Sequence, residues 1–195
     1  MSQQSDLEAY AALLIKWNAV QNLVSRETIG ELWPRHIADS LQLIKYLRPT
    51  DLAFLDLGSG GGFPAIPLAI ASRETSRKFT LVEPIAKKAS FLRTVARELS
   101  LPVTVHALRA EQLDSRETFD VITSRALADL TALCRLSLPF AAQSTRHLLH
   151  KGRNYREELD AATAHFDFDV VVHTSESDPE GVILEISNLR AKSAA

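Results

Sequence analysis

The chain has 195 residues, of which 46% are hydrophobic and 24% charged, with a formal net charge of −2. These values are ordinary for one soluble globular domain, so we expect a single domain over residues 1–195. The only cysteine, Cys134, excludes an intramolecular disulfide, and no apolar run reaches the ~20 residues that span a bilayer. We therefore expect a cytoplasmic protein without a membrane partner. The net charge does not exclude a nucleic-acid partner, because only a local basic face has to meet phosphates.

The first fifty residues predict helices. Apolar residues recur at spacings of three and four along two segments, and each set forms one helical stripe: Leu7, Tyr10, Leu14 and Trp17 in the first, and Trp33, Ile37, Leu41 and Ile44 in the second. We place the start of the second helix at Pro34, because the backbone N–H that proline lacks has no partner in the first turn of a helix. Trp17 could stack on a base, but its place on the stripe favours core packing. Residues 1–50 are thus expected to form a helical cap.

From residue 53 the apolar period changes to that of alternating strands and helices. The predicted strands cover residues 53–57, 79–82, 103–107, 119–123, 147–150, 168–173 and 182–186. The predicted helices cover residues 65–71, 86–99, 127–138 and 156–165. This order predicts an α/β core over residues 51–190: a doubly wound, mostly parallel, Rossmann-like sheet with an antiparallel last strand.

A glycine loop joins the first predicted strand to its helix. Its spacing is Gly58-x-Gly60-x-Gly62, and Asp56 precedes it. The nicotinamide fingerprint requires glycine at position 63, where this chain has Phe63. The spacing is instead typical of methyltransferases that bind S-adenosylmethionine, a cofactor with an amino-acid tail and no pyrophosphate. We therefore predict a cofactor site that includes Asp56, Gly58, Ser59, Gly60, Gly62 and Phe63.

Three more stretches follow strands at positions where an open α/β sheet binds ligands. Glu83 ends the second strand, where a carboxylate can accept both ribose hydroxyls; the alternative is an incidental surface acid. Ala110 and Glu111 follow the third strand, where backbone groups can read adenine. Arg125 follows the fourth strand, near the expected position of the transferred methyl group. The alternative for Arg125 is a surface ion pair with Asp129, four residues on.

The sequence resembles the RsmG family of ribosomal small-subunit RNA guanine-N7 methyltransferases, also called GidB. Motifs over most of the chain carry the resemblance: Trp17-Asn18, Asn22-Leu23, residues 36–41, residues 58–67, Lys87-Lys88, Phe91-Leu92, residues 109–111, residues 124–126 and Lys151-Gly152. It implies transfer of a methyl group to N7 of a guanine in 16S ribosomal RNA, either free or in the assembled small subunit. It also implies that Gly58, Phe63, Ala110, Glu111 and Arg125 line the cofactor site, and that the N-terminal helices help present the RNA. The alternatives are a small-molecule methyltransferase and a non-catalytic nucleotide-binding assembly factor.

His36, Asp39 and Ser40 share one helical face, because they lie at i, i+3 and i+4. With Arg125 they are our candidate catalytic residues, facing either the base or the methionine end of the cofactor. The alternative is a solvated face on which Asp39 pairs with Arg35. N7 of guanine carries no proton, so its methylation needs alignment for in-line displacement and no general base.

The candidate RNA-binding residues are basic side chains outside the glycine loop: Arg35, Lys87, Lys88, Lys151 and Arg153. For the two adjacent lysines, the solvated face of an amphipathic helix is an equally good reading. Cys134 lies among apolar neighbours on a predicted helix, which favours a small core residue over a nucleophile. We predict no metal site, because no histidine pair shares metal-ligand spacing with the cysteine.

Overall fold

A computed structural model describes residues 2–25, 27–114 and 116–193 of the chain. Seven strands form one sheet in the order β3-β2-β1-β4-β5-β7-β6. The strands are β1 (Ala53–Leu57), β2 (Lys78–Val82), β3 (Val103–His106), β4 (Phe119–Arg125), β5 (Ala141–Lys151), β6 (Phe166–Thr174) and β7 (Val182–Ala191). β7 pairs antiparallel with both β5 and β6, whereas the pairs among the first five strands are parallel. The predicted mostly parallel sheet with an antiparallel last strand is therefore confirmed.

The helices are the crossover connections and the N-terminal cap. They are α1 (Gln3–Asn18), α2 (Asp39–Leu41), α3 (Ala65–Ala71), α4 (Ala86–Glu98), α5 (Leu130–Ser137) and α6 (Tyr155–Thr163). No helix in the described part of the chain is long and apolar enough to cross a membrane. Because parallel strands share an orientation, the segments that follow β1, β2 and β4 meet at the carboxyl edge of the sheet.

The apolar stripe of α1 packs onto the α/β core as predicted. Leu7, Tyr10 and Leu14 are almost completely buried. The ring of Trp17 packs at 5.6 Å from that of Phe91 on α4, which confirms core packing over base stacking. The buried ring of Tyr10 also reaches the glycine loop, since its hydroxyl donates to the Gly61 carbonyl at 2.6 Å.

The second helical segment begins one residue earlier than predicted and is irregular. A π-helical stretch (Trp33–Ala38) runs into α2 and then into a 3₁₀ turn (Gln42–Tyr46). Only tertiary contacts can hold such a mixed segment, because neither π nor 3₁₀ geometry is favoured over several turns. Irregular helices of this kind are common at functional sites.

Three other predicted boundaries were wrong by three residues or more, and one of them is the end of β7, at Ala191 and not at residue 186. β5 begins at Ala141 and not at residue 147. The prediction missed this start because the strand contains Arg146, a charged residue that is buried and pairs with Asp51 at 2.5 Å and Glu185 at 2.7 Å. A charged residue interrupts the apolar alternation by which a strand is recognised in a sequence, even when its charge is buried and paired in the fold. α5 begins at Leu130 and not at residue 127, because Asp129 caps it by accepting a hydrogen bond from the backbone of the first turn.

Candidate active site

The glycine loop folds back on itself between β1 and α3. Gly58, Gly60 and Gly62 have φ angles of +69°, +54° and +99°, in the left-handed region that favours glycine. The Gly58 amide donates to the Val82 carbonyl at the end of β2 at 2.9 Å, and the Gly62 amide donates to Ser59 at 2.6 Å. The backbone of the loop is thus fixed against the neighbouring strand and lines an open cleft. Its three predicted glycines lie together as expected.

Asp56 lies beneath the loop and not in the cleft. Its side chain is 1% exposed, and one carboxylate oxygen accepts from the Thr123 hydroxyl at 2.7 Å. Burial raises the pKa of the Asp56 carboxyl to about 7, because a dry interior disfavours the charged form. Although Asp56 is one of the predicted cofactor-binding residues, these contacts give it a role in supporting the loop.

Replacing Asp56 with asparagine should remove a pH dependence from the free energy of unfolding. The folded-state pKa of about 7 lies above the ordinary value of 3.8, so the folded protein binds this proton more tightly than the unfolded chain does. The stability that Asp56 contributes is therefore present at acid pH and is lost as the pH rises toward 7. From pH 5 to 8, we expect wild type to lose about 2–4 kcal/mol relative to Asp56→Asn. Urea unfolding of both proteins across this range tests the expectation, and parallel curves would contradict it.

Glu83 lies beside the loop as the predicted ribose contact requires. It is 4% exposed and lines the cleft. One carboxylate oxygen accepts from the Gly60 amide at 2.9 Å and the other from the Ile85 amide at 2.8 Å. A carboxylate has about four lone-pair positions, so each oxygen keeps one for a further hydroxyl donor. Glu83 is therefore not an incidental surface acid: it anchors the loop and can still accept from a ligand.

Arg125 is the centre of a polar cluster that also lines the cleft. Its Nη1 donates to the Asp39 carboxylate at 3.1 Å and to the Arg35 carbonyl at 3.0 Å, and its Nη2 lies 2.5 Å from His36 Nδ1. The guanidinium carbon is 5.0 Å from the centroid of the Phe63 ring, in cation–π geometry. Arg125 is thus in an ion pair, but with Asp39 from the helical cap and not with Asp129.

Two of the three predicted cap residues lie in this cluster. His36 and Asp39 both line the cleft, and Asp39 does not pair with Arg35, which instead lies 3.5 Å from Glu31. Ser40 is fully buried, and its hydroxyl donates to the His36 carbonyl at 2.6 Å. Ser40 therefore shapes the helix behind the site without lining it.

The structure also places residues in the cluster that the sequence analysis missed. His150, at the end of β5, lies 3.0 Å from the Asp39 carbonyl through Nε2. Gln42 and Ser177 donate to the Asp39 carboxylate at 2.7 Å and 2.5 Å. The only sequence signal for His150 was its position at the end of a predicted strand. Ser177 had no such signal, because it lies 138 residues away from Asp39. Together with Arg125, these side chains give each Asp39 carboxylate oxygen at least one hydrogen-bond donor.

The remaining predicted residues are spread around and beyond the cleft. Ala110 and Glu111 form a short 3₁₀ turn after β3 and are not among the residues lining the cleft. Lys88 lines it, and the exposed Lys87 does not. Lys151 is 9% exposed and is held by the Ala128 carbonyl and the Glu158 carboxylate, both at 2.7 Å. Arg153 is exposed and lies 3.9 Å from Glu180.

The cleft has a volume of about 1030 Å³, at the upper end of the range for small-molecule sites. Its walls are the glycine loop, the segment after β4, the irregular helix of the cap and the loop between β6 and β7. Within the described ranges, no three His, Cys, Asp or Glu side chains are placed to hold a metal ion. Cys134 is 2% exposed, and burial raises its pKa to about 12. It is a core residue, as the sequence analysis favoured.

The family model of GidB, described as rRNA small subunit methyltransferase G, matches residues 3–180. The chain belongs to the GidB family. Curated GidB relatives include the ribosomal RNA small subunit methyltransferases G of Cereibacter sphaeroides and Bartonella tribocorum. The first is 47% identical, covering 92% of this chain and 87% of the relative; the second is 45% identical, covering 95% and 88%. The predicted family is confirmed.

Solved structures share the fold of this GidB chain at low identity. The glycopeptide N-methyltransferase MtfA, complexed with (S)-adenosyl-L-methionine, has a TM-score of 0.63 at 10% identity, covering 78% of this chain and 93% of its own. A variant of MtNAS in complex with S-adenosylmethionine has a TM-score of 0.60 at 19% identity, covering 95% and 76%. The Rossmann-like methyltransferase architecture predicted from the sequence is therefore confirmed.

Proposed function

We propose that this chain transfers a methyl group from S-adenosylmethionine to N7 of a guanine in 16S ribosomal RNA, in the cytoplasm. The observation that carries the proposal is one cleft lined by a glycine loop, a ribose-type carboxylate and the Arg125 cluster. Membership of a family of rRNA small subunit methyltransferases supports the substrate. The guanine is presented either in free RNA or in the assembled subunit.

The glycine loop fits the cofactor. A Cβ at Gly60 would project into space, with its nearest neighbour at 3.8 Å, so the loop offers a bare backbone surface to a ligand. Glu83, with its remaining lone pairs, would accept the ribose hydroxyls. Among the residues predicted as cofactor contacts, Gly58, Ser59, Gly60, Phe63, Glu83 and Arg125 line the cleft. When bound, S-adenosylmethionine supplies an electrophilic methyl carbon on a sulfonium.

The side chains next to the loop are unsuited to act as a general base. Asp39 accepts from Arg125, Gln42 and Ser177. The Nδ1 lone pair of His36 is directed at Arg125, and burial together with that charge lowers the pKa of His36 to about 4. These residues fit an acceptor atom that has no proton to remove, as guanine N7 does. Their role is to orient the base for in-line displacement.

Basic side chains around the cleft would contact RNA phosphates. We propose Arg35, Lys87, Lys88 and Arg153 for this role, because Lys88 and Arg35 line the cleft and all four side chains reach solvent. Lys151 also lines the cleft, and this position is the only reason to propose it as an RNA contact. Its ammonium is already bound by the Ala128 carbonyl and the Glu158 carboxylate.

Lys151 and Arg153 should therefore respond differently to alanine. Lys151→Ala leaves Glu158 without its buried partner, so we expect a loss of about 2 kcal/mol in the free energy of unfolding, since Glu158 is partly exposed. Arg153→Ala should leave stability within about 0.5 kcal/mol. It should also reduce the slope of log affinity for RNA against log salt concentration by about 0.7–0.9. Urea unfolding and RNA titrations at several salt concentrations measure both, and equal salt slopes for Arg153→Ala and wild type would remove it from the RNA surface.

The proposed function is tested by incubating the protein with labelled S-adenosylmethionine and either free 16S RNA or small subunits from cells that lack the protein. We expect label at 7-methylguanosine after nuclease digestion and mass mapping. Absence of that nucleoside in both substrates would contradict the proposal. Transfer to a small molecule in place of RNA would identify the alternative methyltransferase, and no transfer at all would favour an assembly factor.

A further inference from the structure

His36 has one ring nitrogen that is bound and one that has no partner. Nδ1 lies 2.5 Å from Nη2 of Arg125. A guanidinium can only donate, so Nδ1 must accept, and the proton of a neutral imidazole then lies on Nε2. His36 Nε2 is buried and has no hydrogen-bond partner among the described residues. A buried donor without a partner is uncommon and costly, which makes it a marker for a ligand atom that is still to bind.

The ring of His36 is held in a fixed position at the edge of the cleft. It stacks on Phe63, with centroids 5.0 Å apart and an interplanar angle of 28°, and only 8% of the residue is exposed. Phe63 directly follows the glycine loop. The Nε2–H group therefore belongs to a ring that Phe63 and Arg125 hold in place beside the glycine loop.

The charge state of His36 makes it a single, neutral donor. Burial is the main cause of its lowered pKa of about 4, and the charge of Arg125 adds to it. Asp39 acts in the opposite direction, and the exposed Arg35 lowers the pKa further. At neutral pH the ring thus keeps one N–H, a match for one carbonyl oxygen. A carboxylate, by contrast, is best matched by a cationic, bidentate donor.

We propose that His36 Nε2–H donates to O6 of the target guanine and thereby selects guanine over adenine. The inference rests on the proposed function. On the edge that carries N7, guanine presents O6 as a second acceptor, whereas adenine presents an amino group. Because N7 must stay free to react, O6 is the atom left for recognition on that edge. An adenine in the same position would place its amino donor against the His36 donor, and neither group would be satisfied.

The test compares two RNA substrates that differ only at the target base, guanine or 2-aminopurine. The latter keeps N7 and the 2-amino group and lacks O6. Rates of N7 methylation are measured as kcat/KM for wild type, His36→Phe and His36→Gln, with exposed His165→Gln as the matched control. The phenylalanine keeps a stacking ring without a donor, and the glutamine keeps an N–H. The intrinsic difference in reactivity between the two bases cancels when variants are compared with wild type.

We expect the guanine to 2-aminopurine ratio to fall about 10- to 100-fold in His36→Phe, mainly through loss on guanine. His36→Gln should recover part of the ratio, and His165→Gln should leave it unchanged. Where turnover is too slow, the same ratio is measured as equilibrium affinity of the two RNAs. Thermal unfolding of each variant separates a loss of fold from a loss of selectivity.

An unchanged ratio in His36→Phe would overturn the inference. A cofactor Kd raised tenfold or more together with an unchanged ratio would show instead that His36 binds the methionine end of the cofactor. Failure of the proposed function looks different, because wild type itself would then produce no 7-methylguanosine in either 16S substrate.

Discussion

Gly62→Ala should unfold the glycine loop and destabilise the whole domain. A Cβ at this position would lie 2.6 Å from Cγ1 of Ile66 and 3.1 Å from both Leu92 and the Tyr10 hydroxyl. The φ of +99° adds backbone strain for any residue with a Cβ. Crowding and strain each cost about 1–3 kcal/mol, so we expect a loss of about 3–5 kcal/mol in the free energy of unfolding. This is a large part of the total stability of a typical domain, and urea unfolding measures it.

Two other glycines provide graded controls for this prediction. A Cβ at Gly60 would meet no atom closer than 3.8 Å, but the backbone there has a φ of +54°. For Gly60→Ala we therefore expect about 1–2 kcal/mol of strain. Its methyl group would stand in the cleft, and we therefore expect cofactor affinity to fall at least tenfold in a protein that still folds. A Cβ at Gly152 would meet nothing within 4 Å, so Gly152→Ala should leave the free energy of unfolding unchanged. If Gly62→Ala were as stable as Gly152→Ala, the packing described for the loop would be wrong.

Arg125→Lys should reduce kcat/KM about 100-fold while the protein stays folded. Arg125 joins the carboxylate of Asp39, the ring of His36 and the carbonyl of Arg35, and lies against Phe63. A lysine has one compact ammonium and cannot make these contacts at once in the same plane. The helix of the cap and the segment after β4 would then lose their fixed alignment, and small misplacements cost about 10²-fold in rate. Steady-state kinetics on the RNA substrate measure the change.

Arg135→Lys is the matched control, because Arg135 is an exposed arginine on α5 outside the cluster. It should keep wild-type kinetics. A double-mutant cycle of Arg125→Ala and Asp39→Ala should give non-additive losses in activity, since each residue positions the other. Full activity of Arg125→Lys, or additive losses in the cycle, would show that the cluster does not act as a unit.

The strands and the glycine loop were predictable because their signals are local. Apolar periodicity marked the start of six of the seven strands within two residues, and the spacing of Gly58, Gly60 and Gly62 reflects the turns that the backbone itself must make. The start of β5 was missed because it contains Arg146, a charged residue that can be buried only because it pairs with Asp51 and Glu185. Both partners lie far away in the sequence. Burial of a charge depends on partners that no local pattern identifies.

The candidate site shows the same division between local signals and distant contacts. Sequence spacing offered Asp129 as the partner of Arg125 and Arg35 as the partner of Asp39, since residues four apart are neighbours on a helix. The structure pairs Arg125 with Asp39 at 3.1 Å, across 86 residues. The pairing exists because the cap packs over the carboxyl edge of the sheet, where β4 ends.

The sequence by itself determined the fold class, the family and the loop that would hold the cofactor, because each depends on short-range spacing of apolar residues and glycines. Only the tertiary structure decided what the polar residues do. It placed Asp56 and Ser40 behind the site, bound Lys151 to Glu158, and brought His150 and Ser177 to Asp39. It also placed the proton of the neutral His36 ring on Nε2, because Arg125 donates to Nδ1. Hydrogen-bonding roles belong to pairs of groups, and the sheet and its cap assemble those pairs from distant parts of the chain.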